Sequence, residues 1–177
     1  MQAGKSSIQF EHPPIITSAA SIVGQTEGEG PLASFFDRVE PDPTFGKKSW
    51  EEAESELQRQ TVQKCLDKAG RQAADVNCLF AGDLLGQIVA TSFGVESFDI
   101  PFFGLYGACS TMGEAMILGA MAAGAGYADR VLALASSHFA SAERQFRFPL
   151  AYGNQRPQST TWTVTGCGCV MIEGNEK

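Results

Sequence analysis

The sequence has few histidines, fewer basic than acidic residues, and no long uninterrupted apolar run. Its 177 residues include 2 His, and 13 Lys and Arg stand against 20 Asp and Glu, for a formal net charge of -7. This negative charge argues against broad binding to nucleic acid or to anionic membrane surfaces. The longest uncharged apolar stretch, residues 115–128, is too short to span a bilayer. Residues 1–10 lack the apolar core of a signal peptide, so we expect no secretion and no transmembrane helix.

The cysteines form no disulfide framework. They are Cys65, Cys78, Cys109, Cys167 and Cys169. An odd count without regular spacing is typical of a reducing compartment. Cys167 and Cys169 are separated by one residue in an apolar run, and neither a second pair nor a nearby histidine accompanies them. Small residues of a strand explain this pair better than a zinc site. The sequence therefore predicts no metal centre.

Residues 49–69 carry the clearest helix signal. Ser49 and Glu52 match the capping box, in which each side chain satisfies an unpaired backbone N–H group. Apolar residues recur at helical spacing along the stretch. The acidic run in its first half, which includes Glu54 and Glu56, is predicted to be a solvated face. We expect an amphipathic helix that covers a sheet.

Apolar runs predict the strands. They lie at 15–24, 76–81 and 130–136, with one or two more within 160–172. A helix connects the second strand to the third, and a crossover of this kind is right-handed and joins parallel strands. The order of elements therefore predicts an α/β fold with a mixed, mainly parallel sheet.

Two segments are predicted to be loops. Residues 25–48 are rich in Gly and Pro, and we expect a long loop with at most one short helix near 32–37. A loop of that length in a compact domain is usually functional or mobile. Residues 137–158 are expected to form a second, polar loop.

The most informative motif is a cysteine at the start of a helix. Cys109 follows Gly107 and Ala108, and residues 112–125 then form a Gly- and Ala-rich run with no charge after Glu114. Such a helix is predicted to be buried on every side. A cysteine in its first turn faces unpaired N–H groups and the positive end of the helix dipole, which favours a thiolate or a bound anion. The alternative is that Cys109 is a small residue where nothing larger fits.

Three segments carry a resemblance to known proteins. They are 80–85 (Phe-Ala-Gly-Asp-Leu-Leu), 106–112 (Tyr-Gly-Ala-Cys-Ser-Thr-Met) and 142–149 (Ala-Glu-Arg-Gln-Phe-Arg-Phe-Pro). With the Gly-Ala-Cys turn opening a small-residue helix between two strands, the chain resembles the N-terminal half of a thiolase-fold protein. Segment 142–149 is more specific, because it is similar to the stage V sporulation protein AD family of endospore-forming bacteria. The resemblance covers residues 15–172.

The resemblance implies both a fold and a role. The fold would be a layered α/β/α/β/α pseudo-dimer of two similar halves, of which residues 1–177 supply the first. The role would be to bind dipicolinic acid (pyridine-2,6-dicarboxylate), or its calcium complex, and to take part in its uptake into the developing spore. Partners would be spore membrane proteins of the same uptake system. The protein would lie on the cytoplasmic side of the cell or forespore, peripherally at the spore inner membrane.

A flat aromatic dianion needs donors or cations for its carboxylates and an apolar wall for its ring. The candidate ligand-binding residues are Cys109, Asp83, Ser110, Arg144, Arg147 and Tyr106. The helix start at Cys109 offers N–H donors for one carboxylate. Arg144 and Arg147 could clamp the other, with surface ion pairing as the alternative for both.

Other candidates have equally plain alternatives. Phe103 and Tyr106 could form the wall for the ring, although core packing explains them better. Asp83 would repel a dianion unless it meets a protonated ligand or Ca²⁺, and otherwise it would cap a turn or helix. His138 could act as a base, but a histidine satisfied at the end of a strand is the better interpretation.

Two rival functions remain open. Thiolases and ketoacyl synthases use the turn cysteine as an acyl nucleophile, with His or Asn from their second half. Only His12 and His138 occur here, so the chain looks catalytically incomplete, although a condensing enzyme using Cys109 is the alternative. A docking piece for membrane partners is a third option. Because the second half would cover the helix after Cys109, we expect the isolated chain to form a homodimer or to be a fragment of a longer protein.

Overall fold

A six-stranded mixed sheet and a separate strand pair form the β structure of the protein. The structure is a computed structural model that describes residues 1–85, 87–146, 159, 161 and 163–175. In chain order the strands are β1 (Gln2–Ala3), β2 (Ser7–Ile8), β3 (Ile15–Gly24), β4 (Arg38–Glu40), β5 (Cys78–Asp83), β6 (Phe102–Gly104), β7 (Arg130–Ser137) and β8 (Gly166–Glu173). β1 and β2 form the separate pair, and the large sheet has the order β4-β3-β8-β7-β5-β6.

The strand directions confirm a mixed, mainly parallel sheet. β3 with β4, β5 with β6, and β5 with β7 are parallel. β8 lies between β3 and β7 and is antiparallel to both. The parallel pair β5 and β7 confirms the crossover that the sequence predicts around the helix after Cys109.

The described residues form five α-helices. They are α1 (Gln25–Gly28), α2 (Trp50–Ala69), α3 (Val89–Val95), α4 (Thr111–Gly124) and α5 (Phe139–Phe146). α2 begins at the predicted capping box, where Glu52 N donates to Ser49 Oγ at 3.2 Å and Ser49 N donates to Glu52 Oε2 at 3.2 Å. It ends at Gly70, whose φ of 63° is the left-handed conformation that favours glycine.

The sheet separates two apolar layers because alternate residues of a strand point to opposite faces. Leu79 and Ala81 of β5 belong to the layer beneath α2, together with Leu132 and Leu134 of β7. The residues between them point to the other face, where α4 packs. That second layer includes Cys78, Ala115, Val131, Ala133 and Ile172. The two faces of β5 therefore serve two different helices.

The acidic run of α2 is not a solvated face throughout, so that prediction was wrong for two of its members. Glu54 is 3% exposed and Glu56 is 9% exposed. α2 packs against the sheet on one side and contacts α3 and α5 elsewhere. The helix is therefore covered on more than the one face that its apolar spacing indicates.

Both predicted loops contain regular structure. The segment 25–48 holds α1, β4 and a 3₁₀ turn at Ala33–Phe35, and only this turn coincides with the short helix expected there. β4 was missed because it has three residues and is recruited by parallel pairing with β3. The polar segment 137–158 contains α5, whose polar sequence hid a helix that packs against α2.

Against the described residues, helix α4 is buried along one face only, so the prediction of a helix buried on every side was wrong for residues 1–177. Ala115, Gly119 and Ala123 pack toward the sheet, whereas Ile117, Leu118 and Met121 are 58%, 37% and 41% exposed. Small residues bring the helix close to the sheet, since a Cβ at Gly119 would lie 3.2 Å from Val131 Cγ1. Among the described residues, no helix combines the length and hydropathy needed to cross a membrane.

Candidate active-site turn at Cys109

Cys109 lies in a 3₁₀ turn, Ala108–Ser110, that leads directly into α4. Its side chain is exposed, whereas the other four cysteines are buried. Ala108 holds a φ of 47°, a conformation that residues with a Cβ rarely adopt. The helix start, the exposed thiol and the strained residue before it are features typical of a functional turn.

Gly82 of β5 fixes the position of this turn. A Cβ at Gly82 would collide with Leu105 O and would lie 2.8 Å from Thr111 Cγ2. The absence of a side chain therefore lets the strand approach both the segment before the turn and the first residue of α4. Leu105 N donates to Ala81 O at 2.8 Å and holds the same junction. The end of β5 and the start of α4 are thus packed without space between them.

Glu114 is a residue of this turn that sequence reasoning missed. Its Oε1 accepts a hydrogen bond of 2.6 Å from Ser110 Oγ. Ser110 Oγ also lies 2.8 Å from Gly107 O. A Cβ at Gly107 would overlap the Glu114 carboxyl group, so the glycine makes room for it. A carboxylate one helical turn from Ser110 was the available signal, because acidic side chains stabilise helix N-termini.

The Glu114 carboxylate changes what the turn can bind. It already accepts the hydrogen bond of the Ser110 hydroxyl, which is one of the predicted donors to the ligand. Its negative charge also opposes an anionic ligand at the same helix start. Thr111, the first residue of α4, is 2% exposed, and its Oγ1 has no partner among the described residues.

Asp83 points away from this turn. It follows Ala81 at strand spacing and so faces α2 and α3, whereas Gly82 faces α4. Its Oδ2 accepts hydrogen bonds from Thr91 N at 3.2 Å and Thr91 Oγ1 at 2.7 Å. Asp83 is 4% exposed. In this arrangement it caps the start of α3, which agrees with the alternative that the sequence left open.

Of the two arginines, the structure describes only Arg144, because Arg147 lies outside the described residues. Arg144 is in α5 rather than in a loop, and its guanidinium forms an ion pair with Glu51 of α2. Surface ion pairing was the alternative for this residue. Arg144 therefore lies on the α2 side of the sheet, as Asp83 does.

His138 is fully buried at the end of β7. Ala140 N donates to its Nδ1 at 3.2 Å, so Nε2 must carry the proton that is donated to Pro43 O at 2.7 Å. Its ring stacks on Trp50 with centroids 5.4 Å apart. Burial lowers the pKa of this imidazole. His138 is thus a neutral, satisfied strand-end histidine, which agrees with the preferred interpretation of the sequence.

The two aromatic candidates are exposed in the segment that precedes the turn. Tyr106 is 69% exposed, and its hydroxyl donates to Gln87 O at 2.8 Å. Phe103 is 53% exposed and stacks on Phe80 with centroids 5.0 Å apart. Neither side chain is in the core, so both have a face that a planar ligand could contact.

The predicted residues therefore divide into two groups. Cys109, Ser110 and Tyr106 lie together at the start of α4, whereas Asp83 and Arg144 lie on the α2 side of the sheet. Among the described residues, no group of three or more His, Cys, Asp or Glu side chains is placed to hold a metal ion.

Comparison with known proteins places the chain in a family. The model of the family described as Stage V sporulation protein AD (SpoVAD) matches residues 4–177. The chain belongs to the stage V sporulation protein AD family. The Stage V sporulation protein AD of Bacillus subtilis (strain 168) is 43% identical over 169 residues, which are 96% of this chain and 50% of that protein. The chain thus spans about half the length of the curated relative it matches.

Solved structures support the thiolase-like fold. The 3-oxoacyl-[acyl-carrier-protein] synthase III of Aquifex aeolicus superposes with a TM-score of 0.59 at 14% identity, covering 93% of this chain and 55% of that one. A priming β-ketosynthase of polyketide biosynthesis has a TM-score of 0.59 at 14% identity, covering 97% and 53%. At this identity the likeness shows the fold alone.

Proposed function

We propose that this member of the stage V sporulation protein AD family binds dipicolinic acid, or its calcium complex, and takes part in its uptake into the developing spore. The observation that carries the proposal is an exposed turn at the N-terminus of α4 in a chain of this family. Backbone N–H groups at a helix start bind carboxylates. Tyr106, three residues before Cys109, exposes an aromatic face for a flat ring, and Phe103 of β6 exposes another.

The role is proposed to be binding rather than catalysis. A condensing reaction needs a group that moves a proton beside the thiol. His138 has both ring nitrogens engaged, and it lies at the end of β7 rather than in the Cys109 turn. The exposed thiol is what favours the second candidate, an acyl-transfer enzyme with Cys109 as nucleophile. Its partners in either case are proposed to be spore membrane proteins, with the chain at the inner membrane surface.

Calorimetric titration with dipicolinate tests the proposal. We expect saturable binding that weakens in Cys109→Ala and in Tyr106→Ala. Arg144→Ala, on the α2 side of the sheet, and Glu96→Gln, at an exposed position outside the turn, should leave it unchanged. Pyridine, which has the ring without carboxylates, should not compete. Absence of binding at millimolar dipicolinate would overturn the proposal. Acylation of Cys109 by an acyl-CoA, followed by mass spectrometry, would favour the enzyme instead.

A further inference from the structure

Two carboxyl groups are buried between α2 and the sheet and share one hydrogen-bond network. Glu54 is 3% exposed and Asp83 is 4% exposed. Gln58 Nε2 donates to Thr91 Oγ1 at 3.0 Å and to Ser136 Oγ at 2.6 Å. Because each hydroxyl accepts from Gln58, it donates its own proton to a carboxyl group. Thr91 Oγ1 donates to Asp83 Oδ2 at 2.7 Å, and Ser136 Oγ donates to Glu54 Oε1 at 2.8 Å.

Within the described part of the chain, no positive charge compensates these two acids. Among the described residues, no Lys, Arg or His side chain bonds to either of them. Of the titratable groups in the described ranges, Asp83 from β5 and the Cys167 thiol from β8 interact electrostatically with Glu54. α3 has no titratable residue, and at the end of β7 the ring of His138 is turned to Pro43. Two buried like charges without a cation are strongly unfavourable, so one acid keeps its proton.

Hydrogen-bond directions decide which acid is protonated. Asp83 Oδ2 already accepts from Thr91 N, which can only donate, and from the Thr91 hydroxyl. Asp83 Oδ1 has no partner among the described residues, so a proton there would have no acceptor. A proton on Glu54 Oε2 has one, because Ser141 Oγ lies 2.8 Å away. Ser141 can pass its own proton on to His138 O at 3.0 Å.

We propose that Glu54 is a buried carboxylic acid that donates its proton in a hydrogen bond to Ser141. This proton-dependent hydrogen bond holds α2 and α5 together. Ser141 is 7% exposed in the first turn of α5, and His138 O, which it reaches, also accepts from Ala142 N at 3.0 Å. The same hydroxyl thus ties the start of α5 both to α2 and to the end of β7. When Glu54 ionises, Ser141 must turn its proton to the carboxylate, and Glu54 and Asp83 then repel one another.

The pH dependence has a definite sign. Burial, with a smaller contribution from the charge of Asp83, raises the pKa of Glu54 above its ordinary value of 4.5. The folded state therefore holds this proton more tightly than the unfolded state does. The contribution of this proton to the free energy of unfolding is complete below the ordinary pKa of glutamate. It is lost as the pH rises through the pKa of Glu54 in the folded state. We expect α5 to loosen at the upper end of this window.

Infrared spectroscopy and hydrogen exchange test this proton-dependent hydrogen bond. Above pH 4.5, where an ordinary glutamate is ionised, the wild type should still show the C=O band of a protonated carboxyl group, which is lost in Glu54→Gln and kept in Glu96→Gln. In Glu54→Gln the amide NH₂ donates to Ser141 in place of the acid, so the contact no longer depends on pH. Protection of the α5 amides, corrected for intrinsic exchange, should fall severalfold in the wild type over the pH range in which this band disappears, and it should stay constant in Glu54→Gln.

The outcomes are decisive even if a variant does not fold. Titration of the carboxyl band in the wild type alone reports the proton, and the absence of this band at every pH above 4.5 overturns the proposal. Equal changes of α5 protection in wild type and Glu54→Gln also overturn it. Asp83→Asn should lower the pH at which the band disappears, because the neighbouring charge is removed. A band that instead disappears in Asp83→Asn would assign the proton to Asp83 and refute the proposed direction.

Discussion

Glu114 Oε1 accepts a 2.6 Å hydrogen bond from Ser110 Oγ at the turn that precedes α4. The protein thereby places its own carboxylate where an anionic ligand would meet the helix N-terminus. Because the two negative charges compete for the same donors, Glu114 should limit the affinity of the turn for anions.

Glu114→Gln should therefore tighten dipicolinate binding severalfold. The amide oxygen can still accept from Ser110, so the geometry of the turn is kept while the charge is removed. Helix stability should fall by about 0.3–1 kcal/mol, since a carboxylate near the positive end of the dipole is lost. Calorimetry measures the affinity and urea unfolding measures the stability. Unchanged or weaker binding would show that Glu114 does not compete with the ligand.

Gly82→Ala should destabilise the protein by about 1–3 kcal/mol, because the new methyl group meets the backbone at Leu105. Gly113→Ala is the matched control, since a Cβ there has nothing within 4 Å and lies inside α4. Gly113→Ala should raise the free energy of unfolding by about 0.5–1 kcal/mol, because alanine favours the helix more than glycine does. Urea midpoints compare the two. Equal effects would contradict the close approach of β5 and α4.

Iodoacetamide should label Cys109 selectively in the folded protein. The other four cysteines are buried, with Cys78 the most exposed at 9%. Mass spectrometry of tryptic peptides gives the rate at each thiol, with a urea-unfolded sample as the reference in which all five react. Labelling of Cys65 or Cys169 in native buffer as fast as in urea would mean that the α2 layer opens readily.

The exposed face of α4 should make the isolated chain self-associate. Ile117→Glu places a charge on this face and should shift the chain toward monomer. Leu32→Glu is the matched control, because Leu32 and Ile117 are each 58% exposed. Sedimentation velocity over a range of concentrations measures the effect. A wild-type chain that stays monomeric, or equal association of the Ile117→Glu and Leu32→Glu variants, would show that α4 is not the contact surface.

Features specified by neighbouring residues could be predicted from the sequence. The capping box of α2 needs only Ser49 and Glu52, and the crossover from β5 to β7 follows from apolar runs around a small-residue helix. The start of that helix just after Cys109 is equally local, because a helix terminus is set by the residues of its first turn. For these features, propensity and hydrogen bonding within a few residues suffice.

The direction and burial of individual side chains could not be predicted in this way. Asp83 and Gly82 are adjacent in sequence, yet strand alternation sends one toward α3 and leaves the other against α4. Glu54 lies in an acidic run that local patterning assigns to solvent, but α5 and the sheet enclose it. The sequence by itself determined where α2 and α4 begin and that the Cys109 thiol stands just before α4. Only the tertiary structure decided which carboxyl groups are buried together, because that depends on how distant segments pack around α2.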